Sequence, residues 1–239
     1  MSRTKALYIP GWAAGRDSDR EFVAQLGERF DVETLWLPEY GDHYWEPSQP
    51  AEHIYLPEVS KRVAKEVSPV VLIGWSIGGM VAMEAAAACP EHVKALVLVS
   101  TTVKFHLEPL ENLISQLISQ PEQALRNFFL SAYYPVRPDK AELAARVRTA
   151  LDAGLERLLL GLEYLWRADL RGITNSINTP TLILHGCKDA VIPVEAVDDL
   201  RASLPKAKSH IFENAGHMLP SLYASEICSM IPDILRKLP

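Results

Sequence analysis

Ser76, Asp189 and His217 occur in that order along the chain, and together they could make an activated nucleophile. A serine hydroxyl attacks poorly at neutral pH. It needs a base within hydrogen-bond reach, and the base needs a carboxylate to fix its tautomer and stabilise its charged form. The chemistry is acyl transfer: attack on an ester carbonyl, a covalent acyl-serine, and release by water. The serine lies in Gly74-Trp75-Ser76-Ile77-Gly78, a G-x-S-x-G. A strand can turn sharply into a helix there, with Ser76 strained at the apex, only if the flanking positions carry no side chains to collide. The same turn leaves the Ile77 N–H at the start of a helix, aimed where a negative oxygen could be held.

Each of these residues also has a plain structural role open to it. The glycine–serine segment could be a simple connection, Asp189 a turn cap, and His217 just one of seven histidines. His185 also adjoins a strand end, but before Gly186, where a structural role is equally open. Asp198 and Asp199 fall within a helical stretch and read as solvated. Agreement of order, strand-end position and flanking sequence favours the triad.

The elements that must position these residues alternate. Apolar strands are predicted at Ala6–Ile9, Val32–Leu37, Val70–Ile73, Val93–Ser100, Thr181–Leu184 and Ser209–Phe212. Asp17 or Ser18 is expected to cap a helix bearing Phe22, Val23, Leu26 and Phe30. Further helices are expected over Ile54–Val67, from Ile77 onward, over Val194–Leu204, and over Leu222–Leu238 with a break near Pro232. A polar, aromatic loop runs from Tyr40 to Pro50. Strands buried on both sides and separated by helices imply a parallel sheet covered by helices, with the active site outside the carboxyl ends of the strands. From Thr102 to Arg171 the alternation stops. Four amphipathic helices are predicted there, Leu107–Ser119, Pro121–Tyr134, Asp139–Leu151 and Leu155–Trp166, as an inserted lid. The core is then 1–101 with 172–239, and the lid 102–171.

Bulk properties bound the class. At 239 residues and 48% apolar, the chain can bury one large core. A net charge of −6 argues against nucleic acid as a partner. Cys89, Cys187 and Cys228 are odd in number and irregularly spaced, so reduced thiols in a cytoplasmic protein are expected rather than disulfides or a metal cluster. The apolar run ended by Pro10 is too short for a signal peptide or a membrane span.

Gly74-Trp75-Ser76-Ile77-Gly78-Gly79, Gly186-Cys187-Lys188-Asp189-Ala190-Val191-Ile192-Pro193 and Ala215-Gly216-His217 together resemble the α/β-hydrolases. The resemblance covers the whole chain. Within that superfamily the chain is most similar to the carboxylesterases of biotin synthesis, which cleave the methyl ester of pimeloyl-acyl carrier protein. That likeness rests on the Gly-Trp-Ser-Ile-Gly-Gly run, on Pro10-Gly11-Trp12, and on Gly161-Leu162-Glu163-Tyr164-Leu165 through Ala168-Asp169-Leu170-Arg171. It implies a mostly parallel sheet of about six strands, the first antiparallel hairpin of the fold being absent. It implies that the Trp12 backbone N–H joins that of Ile77 in an oxyanion hole. Pro10 stands where a histidine is usual; the donor is a backbone group, so the hole could survive with different support. Haloalkane dehalogenases and epoxide hydrolases of this fold need an aspartate at position 76, and the serine excludes them.

The expected activity is therefore that of a serine carboxylesterase without metal or cofactor. Ser76, Asp189 and His217 form its triad, and a small acyl ester, carried on acyl carrier protein, is its substrate. Trp12 and Trp75 are expected to wall the acyl pocket, with Phe128 and Phe129 of the lid lining it or packing on the sheet. Arg126, Arg146, Arg148 and Arg157 could give the lid a basic face for the acidic carrier; ordinary surface charge is the alternative. Arg146 and Arg148 are too close in sequence to share one helix face. Two other readings stay open: an esterase or thioesterase for another small acyl substrate, and a hydrolase-fold protein that binds a ligand without turning it over.

Overall fold

Branched apolar runs form the middle of one sheet because they carry side chains that must be buried on both faces, while the two edge strands are more polar and partly exposed. The computed structural model describes residues 3–37 and 53–236. The expected Tyr40–Pro50 loop and the end of the last helix at Leu238 lie outside the described residues. Six strands, β1 (Lys5–Ile9), β2 (Asp31–Thr34), β3 (Val70–Trp75), β4 (Val93–Val99), β5 (Thr181–Gly186) and β6 (Lys208–Phe212), align in the order β2-β1-β3-β4-β5-β6. Every adjacent pair is parallel. The order reverses between β1 and β3, and the chain leaves β3 for the G-x-S-x-G turn at that point.

Alternation along the strands divides the core in two. Leu7, Ile9, Leu72, Leu96, Leu98 and Ile183 face one side. They pack on α2 (Leu56–Ala64), α3 (Ile77–Ala88) and α8 (Ala196–Ser203). Tyr8, Val71, Ile73, Trp75, Val97 and Leu184 face the other. They pack on α1 (Arg20–Gly27) and α10 (Ala224–Arg236), which follows a short helical turn, α9 (Leu219–Leu222). Helix α3 is apolar on nearly all sides, as a helix enclosed by its neighbours must be. Its one charge, Glu84, is buried; burial raises its pKa, while hydrogen bonds with His53 and Tyr164, both 2.7 Å, oppose the rise.

Four helices lie in the sequence between β4 and β5: α4 (Leu107–Ser119), α5 (Pro121–Tyr133), α6 (Lys140–Ala153) and α7 (Leu155–Arg167). Pro121 opens α5 at a position where a missing N–H costs nothing. Asp139 caps α6 by accepting from the Ala141 and Glu142 N–H groups.

Three local expectations fail. Helix α1 starts after Asp19, not Asp17 or Ser18, and the Asp19 side chain does not cap it. That carboxylate instead accepts from the buried Tyr8 hydroxyl at 2.7 Å. Strand β2 stops at Thr34, well short of Leu37. Pro232 sits inside α10 without breaking it. Ile227 and Ile231, one turn apart and fully buried, hold the helix on the sheet across the lost hydrogen bond.

Candidate active site

The turn after β3 is built by close backbone approach. A Cβ at Gly74 would lie 2.3 Å from the Gly78 carbonyl oxygen, and one at Gly78 would lie 2.2 Å from that of Ile9. Neither position can carry a side chain. Ser76 between them takes φ 55°, a conformation L-residues adopt at a cost. It is held there on both sides. Its N–H donates to the Val99 carbonyl at 2.9 Å, and its own carbonyl accepts from the Thr101 hydroxyl at 2.7 Å. Ile77 follows as the first residue of α3, so its N–H has no partner within the helix.

The loops after β5 and β6 are packed backbone to backbone. A Cβ at Gly186 would lie 2.4 Å from the carbonyl oxygens of both Ala215 and Gly216. The Cys187 N–H donates to Phe212, and that of Lys188 to Ala215, both at 2.9 Å. This contact brings Asp189 and His217 together although they are 28 residues apart. His217 Nδ1 lies 2.7 Å from Asp189 Oδ2, and His217 Nε2 lies 3.0 Å from Ser76 Oγ. The other carboxylate oxygen, Asp189 Oδ1, accepts from the Val191 and Ile192 N–H groups, each at 2.8 Å. Only 7% of Ser76, 7% of Asp189 and 1% of His217 is exposed.

The hydrogen-bond partners assign the tautomer of His217. Burial pushes the Asp189 carboxyl up, but the facing His217 charge and hydrogen bond, His185 and the Ile192 N–H outweigh it, leaving the carboxyl below its ordinary value. An ionised carboxylate only accepts, so Nδ1 of His217 carries a hydrogen, and in the neutral imidazole Nε2 is then free to accept from Ser76. His185 is fully buried, and burial lowers its pKa against the opposing pull of Asp189. Its Nε2 lies 2.9 Å from the Ile192 carbonyl oxygen, so it braces the loop that carries Asp189.

The remaining expected residues separate into two groups. Trp12, buried on the loop after β1, donates from its indole to the Leu158 carbonyl at 2.9 Å and meets Phe128 edge-on at 4.9 Å. Phe128 in turn packs on Phe129 at 5.4 Å. Trp75 does not share that wall. Strand alternation turns it to the opposite face of the sheet, with Tyr8, Ile73 and Val97. Its placement beside the histidine loop was not foreseen from the sequence. Nor was the contact of helix α5 with that loop, where the His217 N–H donates to the Ala132 carbonyl at 3.1 Å.

Arg146 is a correction. Arg126, Arg148 and Arg157 are exposed, but Arg146 is only 6% exposed and cannot meet a partner protein. Its Nη2 donates to the Ser18 carbonyl at 3.0 Å and the Ser221 hydroxyl at 2.9 Å, and its guanidinium stacks over Tyr133. The period of 3.6 residues that puts Arg148 outside puts Arg146 inside. Burial raises the pKa of nearby Asp19, and the Tyr8 hydrogen bond and the Arg146 charge oppose that rise. Arg146→Ala is therefore expected to destabilise the fold by about 1.5–3 kcal/mol, as when a buried charged donor is removed and its acceptors are left unpaired. Urea denaturation checks this; a loss below about 1 kcal/mol would contradict the buried network.

Comparison with known proteins identifies the family and agrees with the fold. A family model described as the alpha/beta hydrolase family matches residues 6–228. A pimeloyl-[acyl-carrier protein] methyl ester esterase of Methylococcus capsulatus is 32% identical, over 90% of this chain and 87% of that protein. One of the same name from Vibrio parahaemolyticus is 28% identical, over 95% of this chain and 92% of that protein. Among solved structures, a hydrolase from Oleispira antarctica superposes with TM-score 0.87 at 15% identity, covering 100% of this chain and 93% of that one. The enol-lactonase from Burkholderia xenovorans gives 0.86 at 16% identity, covering 99% and 93%. The family model spans nearly the whole chain and the superpositions cover the same fold, and the chain belongs to the alpha/beta hydrolase family.

Proposed function

We propose that the protein is a serine carboxylesterase acting on the methyl ester of pimeloyl-acyl carrier protein, in biotin synthesis. The hydrogen-bonded chain from Ser76 through His217 to Asp189 carries the esterase reading. The curated relatives bearing that ester's name, matched over most of both chains, support the choice of substrate.

In the mechanism, Ser76 Oγ attacks the ester carbonyl as His217 Nε2 takes its proton. The N–H groups of Ile77 and Trp12 hold the oxyanion, each such donor being worth about 2.7–4 kcal/mol in barrier height. His217 returns the proton to the departing methanol oxygen. Water, deprotonated by His217, then attacks the acyl-serine, and the acid leaves as Ser76 is reprotonated. Asp189 keeps the tautomer correct throughout. The four helices α4–α7 act as a lid, and Trp12 with Phe128 walls the acyl side. Exposed Arg126, Arg148 and Arg157 on that lid face the acidic carrier protein.

The test is hydrolysis of pimeloyl-carrier-protein methyl ester beside short p-nitrophenyl esters, with Ser76→Ala as the blank. Efficient Ser76-dependent cleavage of the carrier ester is expected. Cleavage of the small esters alone would keep the mechanism and remove the biotin assignment. Reversing Arg126, Arg148 and Arg157 together to Glu is expected to raise KM for the carrier ester about tenfold or more, steepest at low salt. The same variant should cleave p-nitrophenyl esters as before; equal losses on both substrates would remove these arginines as a carrier contact.

A further inference from the structure

We infer that Trp75 is a positioning residue for the base, acting through the His217 carbonyl and not through the acyl pocket. The inference rests on the serine-hydrolase reading and adds a residue to its machinery. Trp75 is only 3% exposed, and the one polar atom of its side chain, Nε1, donates to the His217 carbonyl at 3.0 Å. The indole also packs on the His217 ring, centroids 5.8 Å apart and inclined at 43°.

That bond completes a clamp. The peptide N–H of His217 donates to the Ala132 carbonyl of α5, and the peptide carbonyl accepts from Trp75. A Cβ at the preceding residue, Gly216, would lie 1.7 Å from the Tyr134 carbonyl oxygen, so the loop is pressed against the end of α5. With its backbone fixed on both sides, His217 has only its side-chain torsions left, and Asp189 and Ser76 take those up. A base held this way needs little reorganisation to receive the proton.

The same indole supports the other half of the site. A Cβ at Gly11 would lie 2.9 Å from Trp75 Cε3, so the loop carrying the proposed oxyanion donor Trp12 rests directly on the ring. Trp75 immediately precedes the nucleophile in sequence. One side chain therefore sets the spacing between the strand of Ser76, the loop of His217 and the loop of Trp12. A residue that merely filled the core at this place would need the ring but not the N–H.

The test separates those two roles. Trp75→Phe keeps an aromatic ring and deletes the donor. Replacement by 3-benzothienylalanine keeps the bicyclic shape with sulfur in place of N–H. Both are compared with wild type and Ser76→Ala on p-nitrophenyl acetate, with thermal melts and the low-field proton resonance of the His217–Asp189 hydrogen bond. In each Trp75 variant kcat is expected to fall about tenfold with KM changed less than about twofold, as when an interaction acts on the reacting geometry alone. The low-field resonance should shift and the acid limb of the pH–rate profile should move. Wild-type kcat and an unmoved resonance in the folded benzothienyl variant would overturn the inference. Turnover retained by Ser76→Ala would instead overturn the serine-hydrolase reading itself.

Discussion

Ser76→Ala is expected to lower kcat by about a million-fold, the scale found when the nucleophile of such a triad is removed. The chain has no substitute at that place. The strand-to-helix turn presents only residue 76 to His217 Nε2, and Gly74 and Gly78 beside it carry no side chain. The remaining rate should still exceed that of water by about a thousand-fold, because oxyanion donors and bound orientation survive. The fold should survive too. Alanine has the same Cβ as serine, so the φ of 55° costs the variant no more than it costs the wild type. Burst kinetics with p-nitrophenyl acetate and labelling by a fluorophosphonate both check this. Wild type should take one label and the variant none. A variant that still turns over substrate, or that takes label, would remove Ser76 as the nucleophile.

The parts of this site that could be read from the sequence are those fixed by local rules. Glycines at 74 and 78 announce a turn that only glycine fits, and the contacts of 2.3 and 2.2 Å at their Cβ positions are the reason. Strand ends place Asp189 and His217 because a parallel sheet gathers its carboxyl ends on one edge. Helix α4 ends at Ser119, as expected, because Gln120-Pro121 cannot continue it. What stayed hidden depends on which face a residue takes after the chain has folded. Arg146 and Arg148 look alike in sequence, yet one is buried among Ser18, Ser221 and Tyr133 and the other is exposed. Trp75 looks like a pocket wall because it adjoins the nucleophile. Period-two alternation was sufficient to send it to the other face, but its hydrogen bond to a residue 142 positions later has no local signal. Asp19, at the start of α1, does not cap it with its side chain because Tyr8 on β1 takes the carboxylate, a contact with no local signal.

Asp189→Asn is expected to cost about ten-thousand-fold in kcat while leaving the site's shape intact. The argument is one of hydrogen-bond sense. Asp189 Oδ1 accepts from the N–H groups of Val191 and Ile192, so an asparagine would keep its carbonyl oxygen there. Its amide nitrogen would then face His217 Nδ1 as a donor. The imidazole must answer as an acceptor at Nδ1 and carry its hydrogen on Nε2, where it can no longer take the Ser76 proton. The same substitution has a stability signature whose sign follows from the carboxyl's lowered pKa. Folded Asp189 binds its proton less tightly than the unfolded chain, whose ordinary value is 3.8. Its charge therefore contributes stability above about pH 4, and that contribution fades as pH falls through the lowered value. The gap in melting temperature between wild type and Asp189→Asn should accordingly be widest near neutral pH and narrow on acidification. Calorimetry across that range, with kcat measured beside it, tests both halves. A large loss of kcat with a gap that does not narrow in acid would mean that Asp189 orients His217 without the net charge stabilisation argued here. Near-normal kcat would mean that the tautomer of His217 is held by another group.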